Sequence, residues 1–110
     1  MDINELRAAF ASGCPVEYKV HCQKRMVERN ISREDIAHCI MNGEIIEDYL
    51  LDDNIGEASF PLCLMLCVSD RKNDVLHVVV GFNGRKIILI SAYRPDNEHW
   101  EDDYKTRKEK

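Results

Sequence analysis

Three side chains between positions 21 and 29 could bind or act on an anion. Consecutive residues of a helix are about 100° apart, so a helix here would hold His21, Arg25 and Arg29 within an arc of roughly 80°. A guanidinium binds phosphate or carboxylate through a rigid fork of donors, and an imidazole titrates near neutral pH. The cationic stripe formed by these three residues is therefore a candidate phosphate or carboxylate site. The alternative is a solvated helix face that pairs with Glu28 and Glu34.

A single histidine, His77, interrupts the aliphatic run from Val75 to Val80. A titratable group in such a strand must be hydrogen-bonded, exposed at a sheet edge, or functional. The residue types around it fit a histidine that is satisfied structurally and also one that takes part in chemistry. His77 is therefore an additional candidate for the site.

Tyr93 and Arg94 stand where the last predicted strand leaves the sheet, just before Pro95. Function often lies at such a point, because the sheet fixes the start of the loop. Tyr93 could transfer a proton or stack on a base, and Arg94 could hold a phosphate. The alternative is a tyrosine packed under a C-terminal helix and an arginine paired with Asp96.

The turn between the last two predicted strands decides which side chains can work with His77. Asn83-Gly84 is the preferred dipeptide of a two-residue hairpin loop. Such a loop would place His77 opposite Ile90 and on the same face as Arg94. A three-residue loop would instead place Tyr93 on that face.

The first third of the chain holds several cysteines and histidines, but their spacing does not suit a metal site. His21-Cys22 and His38-Cys39 are adjacent pairs whose side chains diverge on a helix. The glycine-rich and nucleophile motifs of nucleotide-binding proteins and serine hydrolases are missing from the sequence. We expect no metal and no cofactor, and the five cysteines, with no C-x-x-C pair, indicate reduced thiols.

Size and charge limit the classes of function. The 110 residues predict one domain, spanning residues 1–110. A net charge of -5 argues against a whole-surface positive field, so any nucleic-acid site must be local. The apolar runs are far shorter than the ~20 residues that cross a bilayer, and residues 1–13 lack an apolar signal core. These features predict a cytoplasmic protein with no membrane contact.

The hydrophobic pattern predicts an α+β fold, with N-terminal helices packed on an antiparallel sheet of about four strands. Asp2 and Ser32 have the positions of helix caps. The charged segment 96–110 is predicted as a C-terminal helix or tail that rests Trp100 and Tyr104 on the sheet. The predicted helices cover the first ten or so residues, 21–29 and 32–43. A short strand or extended lead-in covers 16–20, and the strands of the sheet cover 44–51, 62–69, 75–82 and 86–93.

Four motifs, in order along the chain, carry a resemblance to a known family. They are His21 with Arg25-Met26 and Glu28 to Ser32, then Asn42 to Tyr49, then Leu76 to Val80, and last Ala92 to Asp96 with Trp100 to Arg107. On these motifs the chain, over about residues 16–108, resembles a prokaryotic family of domains of unknown function, number 4258. That family is regarded as akin to RelE/ParE-like toxins, and the resemblance implies a RelE/ParE-like fold.

The resemblance also implies an activity. RelE-like toxins cleave messenger RNA, generally on the ribosome and without metal, by attack of the neighbouring 2′-hydroxyl on the scissile phosphate. Such chemistry needs a base, cations for the phosphorane and an acid for the leaving oxygen. It would make His21 the base or acid, Arg25 and Arg29 the phosphate clamps, and Tyr93 a second proton-transfer or stacking group. These four side chains are expected to converge on one groove between the first long helix and the end of the last strand.

The same resemblance implies partners. Family members look like partners of small zinc-finger, helix-turn-helix antitoxins, so a cognate antitoxin is expected beside RNA or the ribosome. The rival hypothesis is a non-catalytic binding module whose sheet or helical groove holds a protein or nucleic-acid partner. The net acidity and the charged tail favour this second interpretation.

Overall fold

The computed structural model describes residues 1–49, 61–68 and 74–108 of the chain. These residues form three helices and five strands, and the predicted α+β class is confirmed. The predicted strand ends at residues 50–51 and 69 lie outside the described residues. No helix in the described ranges is long and apolar enough to cross a membrane. In chain order the elements are α1 (Ile3–Ala11), β1 (Val16–Tyr18), α2 (Val20–Arg29), α3 (Arg33–Asn42), β2 (Glu44–Tyr49), β3 (Leu62–Val68), β4 (Val75–Phe82) and β5 (Ile87–Tyr93).

The sheet has the strand order β1-β5-β4-β3-β2 and is mixed. Strands β2 to β5 pair antiparallel, whereas β1 pairs with β5 in parallel. The prediction of about four antiparallel strands was therefore one strand short. The extended segment before α2 is that strand, and it satisfies backbone groups along the outer edge of β5, which would otherwise lie open to other chains. Its flanking bonds run from Lys19 N–H to the Leu89 carbonyl, at 3.2 Å, and from Ile87 N–H to the Pro15 carbonyl, at 3.0 Å.

Local signals set the ends of the helices as predicted. The Asp2 carboxylate accepts a hydrogen bond from Asn4 N–H at 2.8 Å and caps α1. Ser32 and Asp35 form a capping box at the start of α3, with bonds of 3.0 and 2.9 Å. Asn30 ends α2 in the left-handed conformation, with φ of 56°. Helices α2 and α3 are therefore joined by a short turn.

The main core lies between the helices and one face of the sheet, called here the helix face. The central strands place every second side chain on this face. The opposite face of the sheet is called the far face. The buried helix-face side chains include Leu76, Val78, Val80, Ile87 and Leu89 from the strands, and Leu6, Cys22, Met26, Ile36, Cys39 and Ile40 from the helices.

The described C-terminal segment, residues 96–108, is a folded tail without a helix. Of the two predicted forms, helix or tail, the structure takes the second. Asp96 and Asp103 each accept hydrogen bonds, at 2.8 to 3.1 Å, from the backbone N–H groups of the residues two and three positions later in the chain. Such local bonds compete with the helical pattern. An isolated antiparallel bridge then pairs Trp100 with Arg107 and closes the segment into a loop.

Val80→Asp is expected to unfold the domain, because it puts a carboxylate into the fully buried helix-face core. Burial of an unpaired charge together with the lost packing costs roughly 3 kcal/mol or more, enough to lower the melting temperature by more than about 10 °C. Thermal unfolding followed by circular dichroism measures the change. Val68→Asp is the matched control, since Val68 is 49% exposed at the end of β3. Equal melting temperatures for the two variants would contradict this core.

Candidate functional site

His77 is buried at the centre of the sheet, on the far face. Its neighbours Leu76 and Val78 belong to the helix-face core, and alternation along β4 therefore turns the imidazole the other way. The side chain is completely enclosed, with 0% exposure. A polar ring at such a position needs a partner for each nitrogen.

The hairpin that follows β4 lies where the sequence predicted it, but its loop is longer than two residues. Phe82 aligns with Ile87, so residues 83–86 form the loop. The Asn83 side-chain oxygen accepts hydrogen bonds from two backbone N–H groups of the loop, at 2.8 and 2.9 Å, and stabilises this turn. A four-residue loop leaves each side chain of β5 on the same face as a two-residue loop, because the difference is even.

A β-bulge in β5 then turns Tyr93 toward His77. The register shifts by one residue between Val79 and Val80, and Ile90 is the extra residue of β5. Because side chains alternate, a shift of one residue exchanges the faces of all residues beyond it. Tyr93 consequently aligns with His77 on the far face. The predicted pairing of His77 with Ile90 was therefore wrong by three residues, of which the longer loop accounts for two and the bulge for one.

Both imidazole nitrogens of His77 are hydrogen-bonded. Nε2 lies 2.7 Å from the backbone carbonyl oxygen of Tyr104, which can only accept, so Nε2 carries the proton. Nδ1 lies 3.2 Å from the Tyr93 hydroxyl and, in this tautomer, accepts the phenolic proton. The rings of Trp100 and Tyr93 stand edge-on to the imidazole, with centroids at 4.5 and 5.3 Å. The contacts form a hydrogen-bonded chain from the Tyr93 O–H through the imidazole to the Tyr104 carbonyl.

An arginine and a glutamate complete the site. A second bulge, between Ile45 and Glu47, aligns Glu47 with Leu64 of β3, whose side chain is on the far face. The Glu47 carboxylate accepts two hydrogen bonds from Arg107, at 2.7 and 3.0 Å. The same guanidinium lies 4.6 Å above the Trp100 ring. The far-face cluster, as defined here, consists of Glu47, His77, Tyr93, Trp100, Tyr104 and Arg107.

Burial sets the charge state of this cluster. It lowers the pKa of His77 below its usual 6.5, although the Tyr104 carbonyl and Glu47 partly oppose the shift. Burial also raises the pKa of Tyr93, and Arg107 partly offsets that rise. At neutral pH the imidazole is therefore neutral and the phenol protonated. These are the forms that the hydrogen bond between them requires.

The cationic stripe predicted on α2 does not join Tyr93. His21 and Arg25 are exposed on α2, and Arg25 pairs with Glu28 at 3.0 Å, one of the two partners that the alternative proposed. The helix packs on the helix face through its buried side chains, whereas Tyr93 points to the far face. The expected single groove for the stripe and Tyr93 is therefore not formed, because the sheet separates them. Arg29 alone reaches β5.

Arg29 and Arg94 hold the main chain beside Tyr93. The Arg29 guanidinium donates to the Ala92 carbonyl at 2.8 Å. Arg94 donates to the Arg29 carbonyl and forms an ion pair with Asp74 at 3.2 Å, and not with Asp96. Both arginines thus use their donors on the protein itself, at the junction of α2 and β5. Their observed role is to fix where β5 ends.

The cysteines show no arrangement that would hold a metal. Among the described residues no group of three or more His, Cys, Asp or Glu side chains lies close enough to bind one ion. The five thiols are free. Burial, with the nearby Asp48, raises the pKa of Cys63 to about 12, so this thiol stays protonated and unreactive.

Comparison with known families places the chain. A family model described as a domain of unknown function, DUF4258, matches residues 18–94. The chain belongs to this family. Neither the curated proteins nor the solved structures searched contain a match. The DUF4258 match includes His77, Tyr93 and Arg94 and ends before Trp100, so it is shorter than the expected 16–108.

The sequence alone identified only two of the six residues of the far-face cluster, His77 and Tyr93, as site residues. Glu47 and Arg107 were noted only within the resemblance motifs, and Tyr104 contributes a backbone carbonyl that no side-chain pattern can show. The high charge density of the two motifs that contain these residues was a signal that could have identified them. What was missing was the pair of bulges that turns Glu47 and Tyr93 to one face.

His77 is expected to make stability depend on pH below about 6.5. Its pKa is lower in the folded chain than the ordinary 6.5. The unfolded state therefore binds more protons in this range, and the free energy of unfolding falls as the pH falls below about 6.5. Urea unfolding at several pH values measures it, and His77→Gln should flatten the dependence. A wild-type curve as flat as that of the variant would contradict a neutral buried imidazole.

Proposed function

We propose that this DUF4258 domain is the toxin of a toxin-antitoxin pair and cleaves RNA without a metal, using the far-face cluster. The observation that carries the proposal is the half-buried Tyr93 hydroxyl, bonded to a neutral imidazole with an arginine close by. A phenol alone is a poor base near neutral pH, but one backed by an imidazole can pass its own proton on as it accepts another. Attack by a 2′-hydroxyl needs a group that removes its proton, and a phenol hydrogen-bonded to an imidazole can do this.

The proposed steps conserve protons. The Tyr93 oxygen takes the proton of the 2′-hydroxyl while its own proton moves to His77 Nδ1, and the new imidazolium is held by the Tyr104 carbonyl. The 2′-oxygen bonds to phosphorus, the bond to the 5′-oxygen breaks, and the same relay returns the proton to that oxygen. The products are a 2′,3′-cyclic phosphate and a 5′-hydroxyl. His77, which is fully buried, acts through Tyr93 and does not touch RNA.

Arg107 supplies the cation for the phosphate. Its side chain is 59% exposed while it is paired with Glu47, so a substrate can approach it from solvent. Substrate binding exchanges the carboxylate for a phosphate oxygen, for which the guanidinium fork is equally suited. The location of the protein is proposed to be the cytoplasm, where messenger RNA, the ribosome and a zinc-finger, helix-turn-helix antitoxin would be its partners.

Tyr93→Phe should abolish cleavage, because it removes the hydroxyl that relays the proton. Loss of one positioned proton-transfer group lowers the rate by about 10²–10⁴. The assay incubates the purified protein, with EDTA, with naked RNA and with translating ribosomes, and detects 2′,3′-cyclic phosphate ends. Tyr104→Phe is the matched control, since its hydroxyl bonds Asn97 at 3.1 Å and not the imidazole.

The cationic stripe gives the contrasting test. A His21→Ala, Arg25→Ala double variant should keep its activity, because both side chains lie on the other side of the sheet from Tyr93. Equal activity of Tyr93→Phe and Tyr104→Phe would overturn the assignment of the relay. Absence of cyclic phosphate ends with both substrates would overturn the nuclease proposal itself.

A non-catalytic binding module is the second candidate function. The observation in its favour is that the charges of the far-face cluster are already matched, with Arg107 on Glu47 and both His77 nitrogens bonded. Such satisfied networks often serve to rigidify a structure. Under this function, induction of the protein would leave cell growth and RNA intact.

A further inference from the structure

The outward side of α2 exposes two valines. Val20 and Val27 are 70% and 82% exposed, far more than other apolar side chains of the helix, while Cys22 and Met26 on the inner side are buried. At about 100° per residue, positions seven apart lie within roughly 20° of each other. The two valines therefore form one apolar stripe that points away from the sheet.

A groove lies beside Val27, at one end of this stripe. It has a volume of about 200 Å³ and lies between α2 and the turn that leads into α3. One wall is stiffened by the Arg33 guanidinium, which lies 4.4 Å above the Tyr18 ring. The floor is apolar, with the buried Met26 and Ile31. Its lining residues are Tyr18, Gln23, Met26, Val27, Ile31 and Arg33.

The charge around the stripe is opposite to that of the chain. Residues 17–34 hold five Lys or Arg and three Glu, so this segment carries +2 in a chain whose net charge is -5. Lys19 pairs with Glu17, Arg25 pairs with Glu28, and Arg29 bonds the Ala92 carbonyl. The cations beside the stripe are therefore Lys24 and Arg33. Lys24 flanks the valine stripe on one side, and Arg33 lies across the groove on the other. In the described part of the chain neither of these two side chains forms an ion pair. An acidic partner would find both cations available.

We propose that this surface docks an acidic segment of a partner protein, with an apolar side chain of that segment inserted in the groove beside Val27. The surface, called the α2 docking face, consists of Val20, Gln23, Lys24, Val27, Arg33 and the groove floor. Apolar contact supplies the affinity, and the flanking cations orient the acidic residues.

The valines favour a protein over RNA as the occupant. A phosphate backbone gains nothing from an aliphatic stripe, and the one aromatic ring at the groove is already covered by Arg33. A peptide with acidic residues around an apolar anchor uses both features at once. The proposal goes beyond the nuclease activity, because the α2 docking face and the far-face cluster lie on opposite sides of the sheet.

Binding is tested with synthetic probes on the ¹⁵N-labelled full chain. The probe is an amphipathic peptide with Leu on one face and Glu on the other. The comparison probes carry Lys in place of Glu, Ser in place of Leu, or are single-stranded oligouridine RNA. The acidic, apolar peptide is expected to shift the amide resonances of α2 and to bind at least about tenfold more tightly than each of the others.

Two variants locate the contact. Val27→Ser and Lys24→Glu are each expected to weaken binding of the acidic, apolar peptide by about tenfold or more. The first removes an apolar side chain of the stripe, and the second reverses a flanking charge. Val68→Ser and Arg85→Glu make the same kinds of change at exposed positions elsewhere and should leave the affinity within about twofold. The proposal is overturned if the acidic, apolar peptide does not bind, or if a comparison probe binds with equal affinity. It is also overturned if the Val27→Ser variant binds the acidic, apolar peptide with the affinity of the wild type.

Discussion

Burial of the His77 imidazole is the constraint on which the far face depends. A ring with two polar nitrogens at 0% exposure is stable only if both are bonded, since an unsatisfied buried group costs about 1–3 kcal/mol. One partner comes from the adjacent strand and the other from a backbone carbonyl 27 residues further along the chain. The imidazole therefore ties the end of the sheet to the C-terminal tail. Trp100 and Arg107, which stack on one another beside the ring, follow from that attachment.

Two irregularities in the sheet make this arrangement geometrically available. Without the bulges, strand alternation would turn both Glu47 and Tyr93 to the helix face, on the other side of the sheet from Arg107 and His77. Each bulge moves one polar residue to the far face, where Arg107 and His77 receive them. The polar network therefore requires the bulges, since in the regular register Glu47 and Tyr93 would not reach these partners.

Local signals made much of the fold predictable, and non-local pairing limited the rest. The caps at Asp2 and Ser32, the end of α2 at Asn30 and the alternating core of β4 are written in residues a few positions apart. The parallel pairing of β1 with β5 joins segments some 70 residues apart. The types of the three residues in β1 do not indicate which strand they pair with. The prediction that the cationic stripe and Tyr93 share one groove failed at the same level. The spacing of the cationic stripe was correct, but which face of the sheet Tyr93 occupies was decided by one bulge that no residue type announces.

The two sides of the molecule remain physically connected at the point where α2 meets β5. Arg29 grips the carbonyl of the residue before Tyr93, and Arg94, the residue after it, grips the carbonyl of Arg29 in return. The main chain that carries the Tyr93 phenol is thus clamped to the C-terminal end of α2 on both sides. Arg29 therefore influences the far-face cluster through the backbone of β5 and not through contact with it. An effect of an Arg29 substitution on activity would therefore show that Arg29 positions the backbone of Tyr93. It would not show that Arg29 contacts the substrate.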